Sequence, residues 1–129
     1  MPSEQIHRQQ ASHNKSFLGS ITNNNYRDWR LTVAFYTALH AIDAGLTHKD
    51  PLWKAKRTNE SLYSLREKIL AMWNRDIHKH YNFLLIRSKE TRYLENIGDK
   101  LAKDYFTDSQ VNKYIHDHLK PILEFFSVS

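Results

Sequence analysis

Along most of the chain, apolar residues recur at three- and four-residue steps, and nowhere do they alternate with polar ones over the length of a strand. The pattern therefore predicts helices. Over residues 4–18 the stripe is thin, with Ile6, Phe17 and Leu18 set among polar residues. It gives a short first helix, and 1–22 is expected to lie at the periphery. The asparagines at 23–25 are a start signal, because an Asn side chain accepts from the free amides of a first turn. A long helix should follow from Tyr26 to Ala44, with Trp29, Val33, Tyr36, His40 and Asp43 at helical steps. Phe35, Leu39 and Ile42 widen its apolar face, and Gly45 is placed to end it in a left-handed cap.

The segment "THKDPLWKAKRTN", 47–59, reads as a basic connecting loop broken at Asp50-Pro51. Its Trp53 is either an exposed aromatic or a lid packed onto the bundle. A third helix is expected from Ser61 to Met72 through Leu62, Leu65, Ile69 and Met72. After a junction at Arg75 to His80, a fourth helix should run from about Ile77 to Ile97, burying Tyr81, Leu84, Leu85, Tyr93 and Leu94. Asp108 offers an N-cap to a last helix carrying Val111, Ile115, Leu119, Ile122 and Phe126, which Pro121 should bend. The architecture implied is an all-α antiparallel helical bundle of four to five helices. A chain of 129 residues is long enough for one such domain and too short for two, so 1–129 is read as a single domain.

Composition adds a sign to this picture. Lys and Arg number 19 against 14 Asp and Glu, a formal net charge of +5, which makes nucleic acid or another polyanion a plausible partner. The absence of cysteine excludes disulfides and thiolate metal sites. No apolar run approaches the roughly 20 residues needed to span a bilayer, and "MPSEQIHRQQ" has no signal core, so a cytoplasmic protein without a membrane partner is expected.

The chemistry-bearing stretch is "RDIHKH", in which Arg75 precedes His80 by five positions and Asp76 follows the arginine directly. A metal-independent ribonuclease needs such a set. A neutral histidine can take the proton of a ribose 2′-OH, and a guanidinium can stabilise charge building on the phosphate. On a regular helix five positions set the two side chains about 140° apart, so they converge only where a helix starts or bends between them. The alternative is a solvated helix start.

Arg87, Lys89 and Arg92 lie near Tyr81 and Tyr93, a mixture that could hold RNA phosphates while a ring stacks on a base; equally, the tyrosines could be core and the cations its solvated face. His78 and His80, and likewise His116 and His118, suggest a metal, but helical residues two apart point about 160° away from each other. No metal and no cofactor is expected. His40 lies on the core side of its helix and is expected to be a hydrogen-bonded interior residue.

"DWRLTVAFYTALHAIDAGL", 28–46, together with "YNFLLIRSKETRY", 81–93, resembles small prokaryotic proteins of the HEPN superfamily, over roughly residues 26–95. The resemblance implies a helical bundle that dimerises. It also implies a toxin or defence ribonuclease in which an arginine, a following polar residue and a histidine four to six positions on form the site. Arg75, Asp76 and His80 match that pattern, Arg75 and His80 as the catalytic pair and Asp76 orienting one of them. Arg87, Lys89, Arg92 and Tyr93 would hold RNA. The expectation is a metal-independent endoribonuclease of toxin–antitoxin or defence type, a homodimer with a nucleotidyltransferase-type antitoxin or other effector as partner. Its rival is a noncatalytic HEPN-like module that dimerises or binds RNA or a partner protein.

Overall fold

The computed structural model describes residues 3–49, 53 and 61–128 and is all-α, without a strand among them. Helix α1, Glu4–Ser20, begins at Ser3, whose hydroxyl accepts from the Ile6 amide. The side it buries is not the one its largest apolar residues suggest: Ile6 and Phe17 are 55% and 53% exposed, whereas His7, Ala11 and Leu18 face inward. Residues 7, 11 and 18 share one helical face, and the small Ala11 allows close approach to the next helix.

A single 3-10 turn, Asn24–Tyr26, is capped by Asn23 and leads into α2, Arg27–Lys49. The asparagine start signal thus acts as expected. The end does not, because α2 runs through Gly45 for another turn. Gly45 is used for space: an added Cβ would stand 2.2 Å from Cε1 of Phe126. Along α2, Leu31, Ala34, Ala38, Ala41, Ile42 and Leu46 are fully buried, whereas Trp29, expected on the apolar stripe, is more than half exposed.

Trp53 is also fully buried and donates from its indole nitrogen to Thr47 Oγ1 at 3.0 Å, so of its two expected places the packed-down one holds. The remainder of the expected basic loop, 50–52 and 54–59, lies outside the described residues.

Helix α3, Leu62–Trp73, is capped by Ser61 and buries Leu65 and Leu70, while Met72 is 84% exposed. One residue later α4, Arg75–Tyr93, starts from Asn74, whose side chain accepts from the amides of Asp76 and Ile77. The expected junction at 75–80 is therefore the opening of a regular helix. It stops at Leu94 in the left-handed conformation (φ 57°), three residues short of Ile97, and leaves Tyr93 and Leu94 exposed rather than buried.

A short α5, Ala102–Tyr105, precedes a helical run made of α6, Asp108–Tyr114, a π segment Ile115–Leu119, and α7, Lys120–Phe125. Thr107, not Asp108, is the N-cap, through a reciprocal capping box with Gln110. Asp108 instead accepts from Arg27 Nε at 2.7 Å, tying α6 to the start of α2. Pro121 marks the irregularity, but as a widening of the turn before it rather than a simple bend. Pro121 has no amide hydrogen to give, and the Lys120 N–H reaches back five residues to the Ile115 carbonyl.

Phe35, Ile42, Leu70, Tyr81, Leu84, Leu119 and Ile122 bring α2, α3, α4 and the C-terminal run into one core, and Leu31, Phe106 and Val111 form a smaller cluster, with Ile115 packed against both. No helix among the described residues is long and apolar enough to cross a membrane.

Candidate functional site

Asp76, His80, Phe83 and Arg87 follow one another at steps of four, three and four residues, so they share one side of α4. The C-terminal run docks on that side. From its π segment, His118 lays its imidazole on the Phe83 ring, with centroids 3.8 Å apart and planes 15° from parallel. His118 Nδ1 stands 3.0 Å from His80 Nδ1. Arg87 places its guanidinium 5.0 Å from the Phe83 centroid, and Tyr114 meets the same ring edge-on. Both imidazoles are half-buried. Burial first, then the charges of His80 and Arg87, lower the pKa of His118, against an opposing pull from Asp117. His118 is thereby held neutral near pH 7, and one of the two facing nitrogens must carry the shared proton.

This geometry has a chemical consequence. A neutral His118 that accepts from His80 Nδ1–H leaves His80 Nε2 as the unprotonated, basic nitrogen. The acceptor then stabilises the imidazolium once His80 has taken a proton, as in a base oriented by a third group. The π segment that carries His118 is a rare helical form often found at functional sites.

The residues singled out in the sequence are only partly gathered here. His80 belongs to the pair. Arg75 is exposed at the first position of α4 with no hydrogen bond or ion pair to a described residue, and with no bend between the two it points about 140° away from His80. Asp76 is exposed one turn before His80 and bonds through its amide to the Asn74 cap. Arg87 lies 3.0 Å from the buried Glu90 carboxylate, aligned too poorly for a hydrogen bond, and burial pushes the pKa of Glu90 up against the pull of Arg87. Lys89 sits 5.8 Å over the exposed Tyr63 ring.

Arg92 is held by its own chain. Its guanidinium lies between 5.0 and 5.4 Å from the rings of Phe35, Tyr36 and Tyr93 and donates to the Tyr36 hydroxyl at 2.9 Å and to Ser88 Oγ at 3.0 Å. Tyr81 is core and Tyr93 is surface, so the two expected stacking rings divide.

The two His-x-His pairs diverge as helical geometry requires: His78 pairs with Glu67 on α3 at 2.5 Å, His80 with His118, and His116 with its neighbour Asp117. Among the described residues no group of three or more His, Asp or Glu side chains gathers in a metal-binding arrangement.

A second polar cluster lies inside the bundle. Arg66 donates to both oxygens of Asp43 at 2.7 and 3.0 Å and places its guanidinium 5.2 Å from the Trp53 centroid. Burial acts to lower the Arg66 pKa, but the bonds and charge of Asp43 outweigh it and raise it. The Tyr81 hydroxyl closes no well-formed hydrogen bond; burial, opposed by the nearby Arg66 charge, pushes its pKa up to about 12. His40, expected as a hydrogen-bonded interior residue, is half-buried, with Nδ1 3.2 Å from Nδ1 of the buried His7, and burial lowers the pKa of both.

Sequence reasoning missed the pairing of His80 with His118 and the role of Phe83 between them. The 80/83/87 spacing was a usable signal for a shared side of α4, but nothing local indicated which residue of the last helix would cover it. Compared with known proteins, the chain matches no family model, no curated protein and no solved structure.

Proposed function

We propose that the protein is a metal-independent endoribonuclease acting on single-stranded RNA, with His80 as general base and His118 as the residue that positions it. The observation that carries this reading is the 3.0 Å contact between two half-buried imidazoles, one held neutral, beside the Arg87 guanidinium. The resemblance to HEPN proteins around Arg75, Asp76 and His80 supports the same class of reaction. His80 Nε2 takes the proton of a ribose 2′-OH, the 2′-oxygen attacks phosphorus, and the bond to the 5′-oxygen breaks, that oxygen taking a proton from water. The products are a 2′,3′-cyclic phosphate and a 5′-hydroxyl. Arg87 is the guanidinium that one chain brings to the phosphate; Arg75 joins the site only from a second copy in a twofold dimer.

Incubating the purified protein with total RNA in EDTA and mapping the ends tests this. Cyclic-phosphate ends that disappear with His80→Ala are expected; intact RNA, or 5′-phosphate ends, overturns it. The rival reading, a noncatalytic binding module, draws on the internal engagement of Arg92 by Tyr36 and Ser88 and the placement of Arg87 beside Glu90. Under that reading RNA or a partner binds and nothing is cut.

A further inference from the structure

The C-terminal turn of α1 and the opening of α2 enclose a hollow of about 560 Å³ whose walls carry three exposed aromatic rings, Phe17, Tyr26 and Trp29. They are 53%, 51% and 57% exposed. Other large apolar side chains are exposed as well, Met72 and Leu101 among them, but these three are rings gathered around one concavity. The rest of the lining is uncharged: Ser20, Ile21, Thr22 and Asn23.

A second groove of about 480 Å³ is lined by the same end of α1, by α2 and by the C-terminal run; half of its lining is aliphatic, and with it stand three cations, Lys15, Arg30 and Lys120, against one acid, Glu124. Arg30 donates to Asn112 Oδ1 at 2.7 Å, but its Nε is buried without a partner among the described residues. Lys120 and Glu124 are an exposed pair at 4.0 Å, too loose to neutralise the groove.

We infer that this face binds single-stranded RNA away from the His80 and His118 pair, with bases stacking in the aromatic hollow and the backbone lying along the basic groove. The inference rests on the ribonuclease reading only in its choice of RNA. Stacking rings beside a cationic track are the two parts of a single-strand binding surface, and a duplex, whose bases are already stacked, cannot fill the hollow. A second copy of the chain fits less well. A twofold contact would bring two copies of this net-positive patch into one interface, whereas a polyanion meets it with opposite charge.

The experiment uses the full chain carrying His80→Ala, so that RNA survives, and measures anisotropy of a labelled oligouridylate and of a duplex of equal length at low salt. The single strand should bind more tightly than the duplex. Adding Trp29→Ala, and separately Tyr26→Ala, should weaken single-strand binding roughly tenfold or more, the scale of one lost stacking contact. Lys15→Ala with Lys120→Ala should flatten the salt dependence. Both rings are half exposed, so circular dichroism should show the fold unchanged. Unchanged affinity in both ring variants overturns the inference, as does a dimer of the unsubstituted chain that Trp29→Ala converts to monomer in sedimentation. Binding that follows Trp29 while the unsubstituted protein cuts nothing removes the catalytic reading alone. Cutting without any effect of Trp29 on binding removes this inference alone.

Discussion

Arg66 on α3 grips both carboxylate oxygens of Asp43 on α2, at 2.7 and 3.0 Å, and the two side chains are only 9% and 7% exposed. Two charges so far from water are stable only as a pair, because removing one leaves the other desolvated and uncompensated. Asp43→Ala or Arg66→Ala should therefore lower unfolding stability by about 3–5 kcal/mol. The apolar double variant Asp43→Leu with Arg66→Met should recover most of that loss. Urea unfolding of the three proteins checks this; a double variant no better than the worse single one would show that the pair is not the determinant.

Gly45 and Phe126 make an equally specific prediction. In an exposed helix Gly→Ala stabilises by about 1 kcal/mol. Here the new Cβ would stand 2.2 and 2.4 Å from two carbons of the Phe126 ring, and those carbons belong to a packed ring. Gly45→Ala should destabilise by about 1–3 kcal/mol, the scale of overpacking, and Phe126→Leu should relieve part of it in the double variant. Thermal unfolding of the four-protein cycle measures the coupling.

These two contacts show where sequence reading reaches and where it stops. The helical period identified the elements because burial must follow 3.6 residues per turn, and Asn23 and Ser61 sit at helix starts for a reason local to each start. Gly45 was misread as a stop because its partner, Phe126, is remote in the chain. Ile6 and Phe17 were placed inside by their side chains, yet the face of α1 that meets α2 is set by Ala11. The candidate site was half legible. His80 was singled out for its chemistry, but its partner His118 lies 38 residues away on a helix whose register is shifted by the π segment before Pro121.

Three histidines give stability a pH dependence of definite sign. His7, His40 and His118 are each held below their ordinary 6.5, burial being the largest cause in every case. Asp43 opposes the shift at His7 and His40, and Arg66 adds to it. Unfolding restores the ordinary value, so below it the unfolded chain binds protons that the folded chain refuses. Stability should be flat above about pH 7 and fall as the pH drops from 6.5 toward the folded values. Unfolding midpoints at about pH 7.5 and about pH 5.5 report the fall. In His7→Phe with His40→Leu the difference between them should shrink, and an undiminished difference would mean that other groups carry it.

The catalytic proposal makes separate demands on four side chains. His80→Ala should lower RNA cleavage at least about a hundredfold, the scale for loss of a general base. His118 acts only through His80, so His118→Asn, which keeps an acceptor for His80 Nδ1–H, should retain more activity than His118→Ala. A residue that merely filled space would show no such rescue. Because His118 is held below 6.5, the acid limb of the pH–rate profile should change shape in His118→Ala, not only in height. Arg87→Ala should cost at least about tenfold through lost charge stabilisation of the phosphate. Arg75→Ala separates the two forms of the site: in a monomer the rate should hardly change, whereas in a twofold dimer that brings Arg75 across the axis it should fall with that of Arg87→Ala. Sedimentation of the same preparations gives the assembly state against which each rate is read. Equal degradation by the unsubstituted protein and all four alanine variants would trace the activity to a contaminating nuclease and end the case for His80.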